Sequence, residues 1–425
     1  MNGKNILIGV TGGIAAYKTP NLVSMLVKQG YNVDVILTKN AMNFITPNTF
    51  EALTKNRCIT DTFDRFHSFE IEHISLAEKA DVVMIAPCTA NVIGKIANGI
   101  ADDMLTTTVM ACKKAKKFIV PAMNTNMYEN PIVQDNMKKL QNYDYEIIEA
   151  SSGRLACGAV GKGKMPEPKD LYKYIERECK YEKDLVGKKV VVTAGATQEK
   201  IDPVRYITNH STGKMGYAIA KVAMERGADV TLISGITSLE KVPFVNTIDV
   251  VSAEDMFNAV VENYDNADIV IKSAAVADFT PENVFDEKVK KSSGNMDTIK
   301  LKPTKDIIKY LGEQKKNQFL CGFSMETENM LENSRKKLEK KNCDMIVANN
   351  LKQDGAGFGE NSRDKLTRKN LDMIVANNVK VKGAGFGTDT NVVTIITKDN
   401  EETLPIMTKE QVAEKLLDRI VEKIQ

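Results

Sequence analysis

Residues 6–18, ILIGVTGGIAAYK, run an apolar stretch straight into a glycine-rich turn and the start of a longer amphipathic segment. The run Ile6–Val10 has the length of a buried strand, and Ala15–Gln29 behind it has helical spacing. Mostly apolar runs at Val33–Leu37, Val82–Pro87, Phe118–Met123 and Tyr145–Ala150 follow, alternating with helical patterns such as Asn91–Gly99. Strands apolar on both faces, separated by helices, imply a parallel sheet covered on both sides. A charged helix-and-linker stretch from Asp170 to Lys188 then ends the series. After it the pattern restarts, with strands at Lys189–Ala194, Val230–Ser234 and Asp268–Ala274 and helices at Thr212–Arg226 and Glu254–Tyr264. The expected fold class is α/β, with two tandem doubly wound, Rossmann-like parallel-sheet domains over 1–187 and 188–425.

Composition is consistent with that reading. At roughly 100–200 residues per domain, 425 residues allow two to four domains. With 43% hydrophobic and 27% charged residues, wholesale disorder and fibrous classes are excluded. A net charge of +2 gives no electrostatic reason for a nucleic-acid or membrane partner. No apolar run reaches the roughly 18–20 residues that span a bilayer, and the N-terminus lacks the pattern of a signal peptide. Seven scattered cysteines without zinc spacing imply a reducing compartment, the cytoplasm, and three histidines (67, 73 and 210) argue against a His-rich metal centre.

One repeat interrupts the second half. Residues 332–359 and 360–387 align without gaps and match at 21 of 28 positions, including MIVANN and GAGFG in both. A single abrupt copy looks like a tandem duplication rather than a solenoid, which needs about three units. The expected consequence is an extra helix and strand at a sheet edge, or a poorly packed insertion.

The glycines at 9, 12 and 13 are not a GxGxxG fingerprint, and the second strand ends at Thr38 instead of an acidic residue for a ribose. A phosphate at the helix start is expected. A mononucleotide such as FMN suits the Thr38 hydroxyl better than NAD. His73 stands at an expected loop-to-helix start and is able to move protons near neutral pH. Pro121–Tyr128 (PAMNTNMY) follows a strand end, where α/β ligands sit, and residues 152–163 form a glycine-rich flap carrying Cys157. In the second half, Asn209–Gly216 (NHSTGKMG) opens a helix as an anion cradle without being a Walker loop. Asp278 lies just beyond a buried strand, and Lys288 sits in a charged run, placed to stabilise charge developing in nucleotidyl transfer. Each of these features taken alone also fits an ordinary structural role.

Together the first-half motifs resemble the phosphopantothenoylcysteine decarboxylase family of flavin-containing cysteine decarboxylases, over roughly residues 3–180. The resemblance includes Ala86–Asn91 (APCTAN) and Ala101–Thr107 (ADDMLTT), with Cys88 where a small residue is usual and Tyr128 where Trp is common. It implies FMN held by Gly12, Gly13, Thr38, Thr89 and Asn91. It also implies His73 in oxidative decarboxylation, Asn124 on the departing carboxylate and Cys157 as the acid of the reductive half. The second half resembles phosphopantothenate–cysteine ligase through residues 189–331 and the C-terminal GAGFGTDTN and TKEQVAEKLLDRIVEKI segments. That resemblance implies an acyl-cytidylate made from CTP with Mg²⁺ and captured by cysteine. Asn209 would hold the intermediate and Lys288 the transition-state charge, with Asp278, Lys305, Asp306, Ile307, Ile308 and Phe323 contacting CTP. The family's phosphate-contacting lysines map to Lys337 and Lys341 in the first copy of the repeat, and equally to Lys365 and Lys369 in the second.

The fused order implies a bifunctional enzyme of coenzyme A synthesis and a homo-oligomer, with trimeric contacts in the first half and dimeric ones in the second. An impaired ligase half, a nicotinamide-dependent dehydrogenase and a non-catalytic flavin-binding regulator are the alternatives. The dehydrogenase lacks its glycine and acidic fingerprint, and a binding role needs neither His73 nor Cys157.

Overall fold

The computed structural model describes residues 3–63, 71–154, 160–289, 298–326, 342–350, 373–378, 389–391, 393–397 and 401–424. The chain divides into two compact units, Met1–Glu182 and Lys183–Gln425. The division falls five residues before the 187/188 boundary expected from the sequence. Residues 183–185 are tied into the second unit: Lys183 Nζ donates to the Glu225 carbonyl at 2.8 Å and the Leu185 N–H to the Arg226 carbonyl at 3.1 Å.

The first unit is built on a six-stranded sheet. Its spatial order is Cys58–Ile59, Asn32–Leu37, Asn5–Val10, Val82–Cys88, Lys116–Pro121 and Tyr145–Ile147. Every pairing in it is parallel. Alternate residues of the first strand feed opposite layers, as the strand period requires. Ile6, Ile8 and Val10 join one buried cluster with Leu22 and Leu26, whereas Leu7 joins another with Ile93 and Leu105. Successive strands run one way from Asn5–Val10 and the other way from Val82–Cys88, so a topological switch point lies between these two neighbours.

The segment expected as one helix over 15–29 is a 3₁₀ turn, Ile14–Lys18, followed by an α-helix, Thr19–Lys28. Pro20 explains the break, because a residue without an N–H fits only the first turn of a helix. The strand expected at Tyr145–Ala150 stops at Ile147, and the flap beyond it is an antiparallel hairpin of Ser151–Arg154 with Val160–Lys164. Helix Pro168–Cys179 closes the unit.

The second unit carries a nine-stranded sheet. Its order is Asn246–Asp249, Asp229–Ser234, Lys189–Ala194, Ile269–Lys272, Phe319–Glu326, Met345–Asn350, Met373–Asn378, Val393–Thr397 and Glu401–Thr403. The first seven strands are parallel, Val393–Thr397 runs against them, and Glu401–Thr403, antiparallel to Val393–Thr397, runs with them again. Again the order reverses beside the first strand of the unit, between Lys189–Ala194 and Ile269–Lys272. Helix Lys214–Glu225 starts two residues later than expected, after Gly213 at φ 79°. The C-terminal helix Lys409–Ile424 is joined to it by Lys221 and Glu410, 3.2 Å apart, and by Arg226, which binds both Asp184 and Asp418.

The repeat's second strand does not take the sheet-edge place expected for it, and the helix expected with it lies outside the described residues. The two MIVANN segments pair parallel and in register, Met345 opposite Met373 through Asn350 opposite Asn378. The second copy therefore lies inside the sheet, between the first copy and Val393–Thr397, and not at an edge. There both sides of its backbone are hydrogen-bonded.

Candidate active site

In the first unit the loops after four neighbouring strands enclose a cavity of about 1020 Å³ at the C-terminal edge of the sheet. Gly12 and Gly13 come from the first loop, Thr38 to Asn40 from the second, Thr89 to Val92 from the third, and Ala122 to Asn124 from the fourth. This is the switch-point crevice where open α/β sheets place ligands.

Hydrogen bonds lock the loops to one another. The Thr11 hydroxyl donates to the Pro87 carbonyl at 2.9 Å and accepts the Thr89 N–H at 3.0 Å. Thr19 donates to the Ala86 carbonyl at 2.8 Å. Thr89 caps helix Ala90–Ala97, and Asn124 caps the short turn Thr125–Tyr128 by accepting the Asn126 N–H at 2.9 Å. A Cβ on Gly12 would stand 2.5 Å from the Asn40 Cβ, so the two loops meet only because residue 12 has no side chain. Gly13 faces open space instead.

Two properties of the cavity identify its ligand class. The Thr38 hydroxyl is buried on the cavity wall and has no hydrogen-bond partner among the described residues. An orphaned buried hydroxyl at that point is a donor awaiting an acceptor. Lys18, Lys39, Lys95 and Lys164 line the same cavity; Lys95 is paired with Asp102 and Asp103 and Lys164 with Glu167, which leaves the exposed Lys39 as the lining lysine without a carboxylate partner among the described residues, available to an anion. Lys18 is almost wholly buried and pairs with Glu167 at 2.7 Å, which holds the Glu167 carboxyl below its usual range. These donors, the open glycine turn and the volume fit a flavin mononucleotide.

Of the first-half residues chosen from sequence, Gly12, Gly13, Thr38, Thr89, Asn91 and Asn124 all line this cavity. His73 does not. It sits half-buried in the first turn of helix Glu72–Lys79. Cys157 lies outside the described residues. Cys88, buried behind the Thr89 cap, is inert, because burial pushes its thiol far up. The four lysines were not singled out; they come from four separate segments, and only Lys18 belongs to a motif that was.

In the second unit Asn209 and the strand-end segment after Ile269–Lys272 lie together: Asn209 Nδ2 donates to the Ala275 carbonyl at 3.2 Å. Thr304 ties the next loop in, its N–H to the Asp278 carbonyl at 2.9 Å and its hydroxyl to the Ala277 carbonyl at 2.6 Å. Lys305 stands 4.7 Å over the Phe257 ring, and Asp306 caps helix Ile307–Gln314. Ile307 and Ile308 are buried, Ile307 within the core. Their side chains face away from solvent, which leaves the helix start itself as the polar surface here. Asp278 and Lys288 are exposed and Phe323 is half-buried. Lys337, Lys341, Lys365 and Lys369 lie outside the described residues. Among the described residues no group of His, Cys, Asp or Glu is arranged to hold a metal ion, and no helix is long and apolar enough to cross a membrane.

Comparison with known proteins agrees with this division. A flavoprotein family matches residues 1–180. The DNA/pantothenate metabolism flavoprotein C-terminal domain matches 185–363 and again 359–424, breaking inside the repeat. The fold and cavity together thus define a two-domain α/β flavoprotein. The coenzyme A biosynthesis bifunctional protein CoaBC of Bacillus subtilis is 49% identical over 424 residues, 99% of this chain and 97% of the relative. Its counterpart in Borreliella burgdorferi is 41% identical over 97% of this chain and 98% of the relative. That in Haemophilus influenzae is 39% identical over 100% and 99%. The chain belongs to the CoaBC family of bifunctional coenzyme A biosynthesis enzymes, with phosphopantothenoylcysteine decarboxylase and phosphopantothenate–cysteine ligase activities in one polypeptide.

Proposed function

We propose that the second unit joins cysteine to 4′-phosphopantothenate at the expense of CTP, and that the first unit, with FMN, decarboxylates the product to 4′-phosphopantetheine. The observation that carries the flavin half is the orphaned Thr38 hydroxyl in a lysine-rimmed cavity at the switch point. FMN, when bound, supplies reversible two-electron chemistry to the cysteinyl thiol. The protein's own part is to bind and orient. Asn124, on the cavity lining, receives the substrate carboxylate that leaves as CO₂. His73 serves the oxidative half and Cys157 returns a proton in the reductive half. That His73 stands apart from the cavity of its own chain supports a homo-oligomer whose flavin sites lie between subunits.

In the ligase half, the substrate carboxylate attacks the α-phosphorus of CTP, pyrophosphate leaves with its electron pair, and the cysteine amine then displaces CMP. Lys288 stabilises the charge on the α-phosphate, Asn209 holds the acyl-cytidylate, and Mg²⁺ travels with the nucleotide. Asp278, Lys305 and Phe323 contact the nucleotide, together with the N-terminus of the 307–314 helix and the repeat lysines, Lys337 and Lys341 or Lys365 and Lys369. The buried free thiols of Cys58, Cys88, Cys112 and Cys321 suit a reducing compartment, which we take to be the cytoplasm.

The test is mass-spectrometric analysis after mixing the protein with 4′-phosphopantothenate, cysteine, CTP and Mg²⁺. Phosphopantetheine, CO₂, CMP and pyrophosphate are expected. Decarboxylation of added phosphopantothenoylcysteine without ligation would place the fault in the half that carries the repeat, and no reaction of either kind would overturn the reading.

A further inference from the structure

The loop that leaves strand Ile269–Lys272 carries Ala275–Asp278, and the approach to helix Ile307–Gln314 carries Thr304 and Lys305. The two segments meet in a short antiparallel ladder, Phe279 opposite Pro303 and Pro281 opposite Leu301. Thr304 extends that ladder by one step, its N–H donating to the Asp278 carbonyl at 2.9 Å. Any residue but proline can make that bond. The hydroxyl does more, because it donates to the preceding carbonyl, that of Ala277, at 2.6 Å. Thr304 therefore grips two consecutive carbonyls of the opposite segment.

The same backbone is held from a second residue as well. The Ala277 N–H donates to the Thr197 hydroxyl at 3.0 Å, and the Thr197 N–H to the Ala275 carbonyl at 3.3 Å. Thr197 and Ala277 are both buried, so two threonine hydroxyls between them satisfy the N–H and the C=O of Ala277. The next side chain is different. The Asp278 carboxylate is exposed, and among the described residues no hydrogen bond or ion pair holds it. Its direction comes from the peptide on which it stands. Beyond Thr304, by contrast, the chain is anchored: Asp306 accepts the Lys309 N–H at 3.2 Å, and Ile307 and Leu311 sit in the core. Thr304 is where a fixed helix start passes its position to a carboxylate that has no anchor.

We propose that Thr304 is a positioning residue for Asp278, its hydroxyl setting the backbone from which that carboxylate meets CTP. This rests on the reading of Asp278 as a nucleotide contact. A misplacement of about 1 Å is enough to cost a site about 100-fold, and an exposed side chain without contacts is placed only by its backbone. Valine at 304 would keep the shape of the side chain and the ladder bond, yet leave the Ala277 carbonyl without its donor.

The test uses the full-length protein and follows pyrophosphate release from CTP with 4′-phosphopantothenate and Mg²⁺. Hydrogen exchange of the strand Lys189–Ala194 serves as the folding control for the unit. Thr304→Val is expected to raise the KM for CTP by about 5–50-fold, with kcat and the KM for 4′-phosphopantothenate changed by less than about threefold. Thr304→Ser restores the hydroxyl and should stay within about twofold of wild type. Thr304→Ala deletes the same donor without a branched side chain, so the proposal stays open to refutation even where valine disturbs the packing. The deciding measurement is the double-mutant cycle with Asp278→Ala. Once that carboxylate is gone, losing the hydroxyl should raise the KM for CTP by less than about threefold, because it acts through Asp278. Losses of equal size with and without Asp278 would overturn the proposal, as would a wild-type KM in the valine and alanine variants or a serine variant as poor as valine. An Asp278→Ala protein with an unchanged KM for CTP would instead sink the reading of Asp278 itself.

Discussion

Thr38 shows how a single residue carries both the legible and the illegible part of the site. That the second strand ends in a hydroxyl is plain from the sequence; that the hydroxyl is buried without a partner is a property of the folded loops. Its replacement by valine removes a buried unsatisfied group, which is neutral or stabilising in the empty protein, yet deletes a donor to a charged ligand. The Thr38→Val variant should therefore melt no lower than wild type without flavin and bind FMN about 10–150-fold more weakly, from the loss of about 1.5–3 kcal/mol. Fluorescence titration and a melting curve check the two halves of that statement. Equal FMN affinity would show that the phosphate sits elsewhere.

The adjacent glycines separate in the same way. An alanine at 12 collides with Asn40 and should destabilise the unit by about 1–3 kcal/mol. At 13 the backbone is extended and the added methyl meets nothing, so stability should hold while the flavin is displaced. If both substitutions lower the melting temperature alike, the close approach of the two loops is not what selects Gly12.

Among the elements, those legible in the sequence are the strands buried on both faces, such as Val82–Cys88, where continuous apolar residues leave no other reading. The hairpin of Ser151–Arg154 and Val160–Lys164 was legible only as a flap, since its residues are glycine-rich and polar and its pairing depends on the loop at Met123. The Met123 N–H donates to the Gly163 carbonyl at 3.0 Å. The lysine rim was illegible for a related reason: four segments distant in sequence meet at one crevice only after the sheet has formed. The repeat was plain as a repeat, but its place was not. Because both copies end in GAGFG, removing 360–387 leaves the continuous segment GAGFGTDTN and lets the first MIVANN strand meet Val393–Thr397 directly. The inner partner Phe319–Glu326 is unaffected. The deletion should give an eight-stranded sheet, cooperative unfolding and undiminished ligation. Loss of ligation with decarboxylation intact would mean that the second copy has become a working part of the ligase site.

At the scale of the whole molecule, each unit owns its core. Among the described residues, two clusters of the first unit draw every residue from before position 180, and a cluster of the second runs from Val191 to Leu320. These clusters share no residue and so give no reason for one cooperative transition; calorimetry of the full chain should resolve two. The described residues that line the flavin cavity all fall within 12–165. A ligand that binds one native unit and not its unfolded form stabilises that unit by about 2.7 kcal/mol at a hundredfold excess over Kd, and does nothing for a unit it does not touch. Added FMN should thus raise one transition by several degrees and leave the other in place, and CTP with Mg²⁺ should do the reverse. The assignment is read from Thr38→Val, whose FMN-dependent shift should shrink while its response to CTP stays whole. Movement of both transitions with FMN alone would show that the two sites are coupled, and a shift by FMN of the CTP-responsive transition without the other would place the flavin outside the Thr38 cavity.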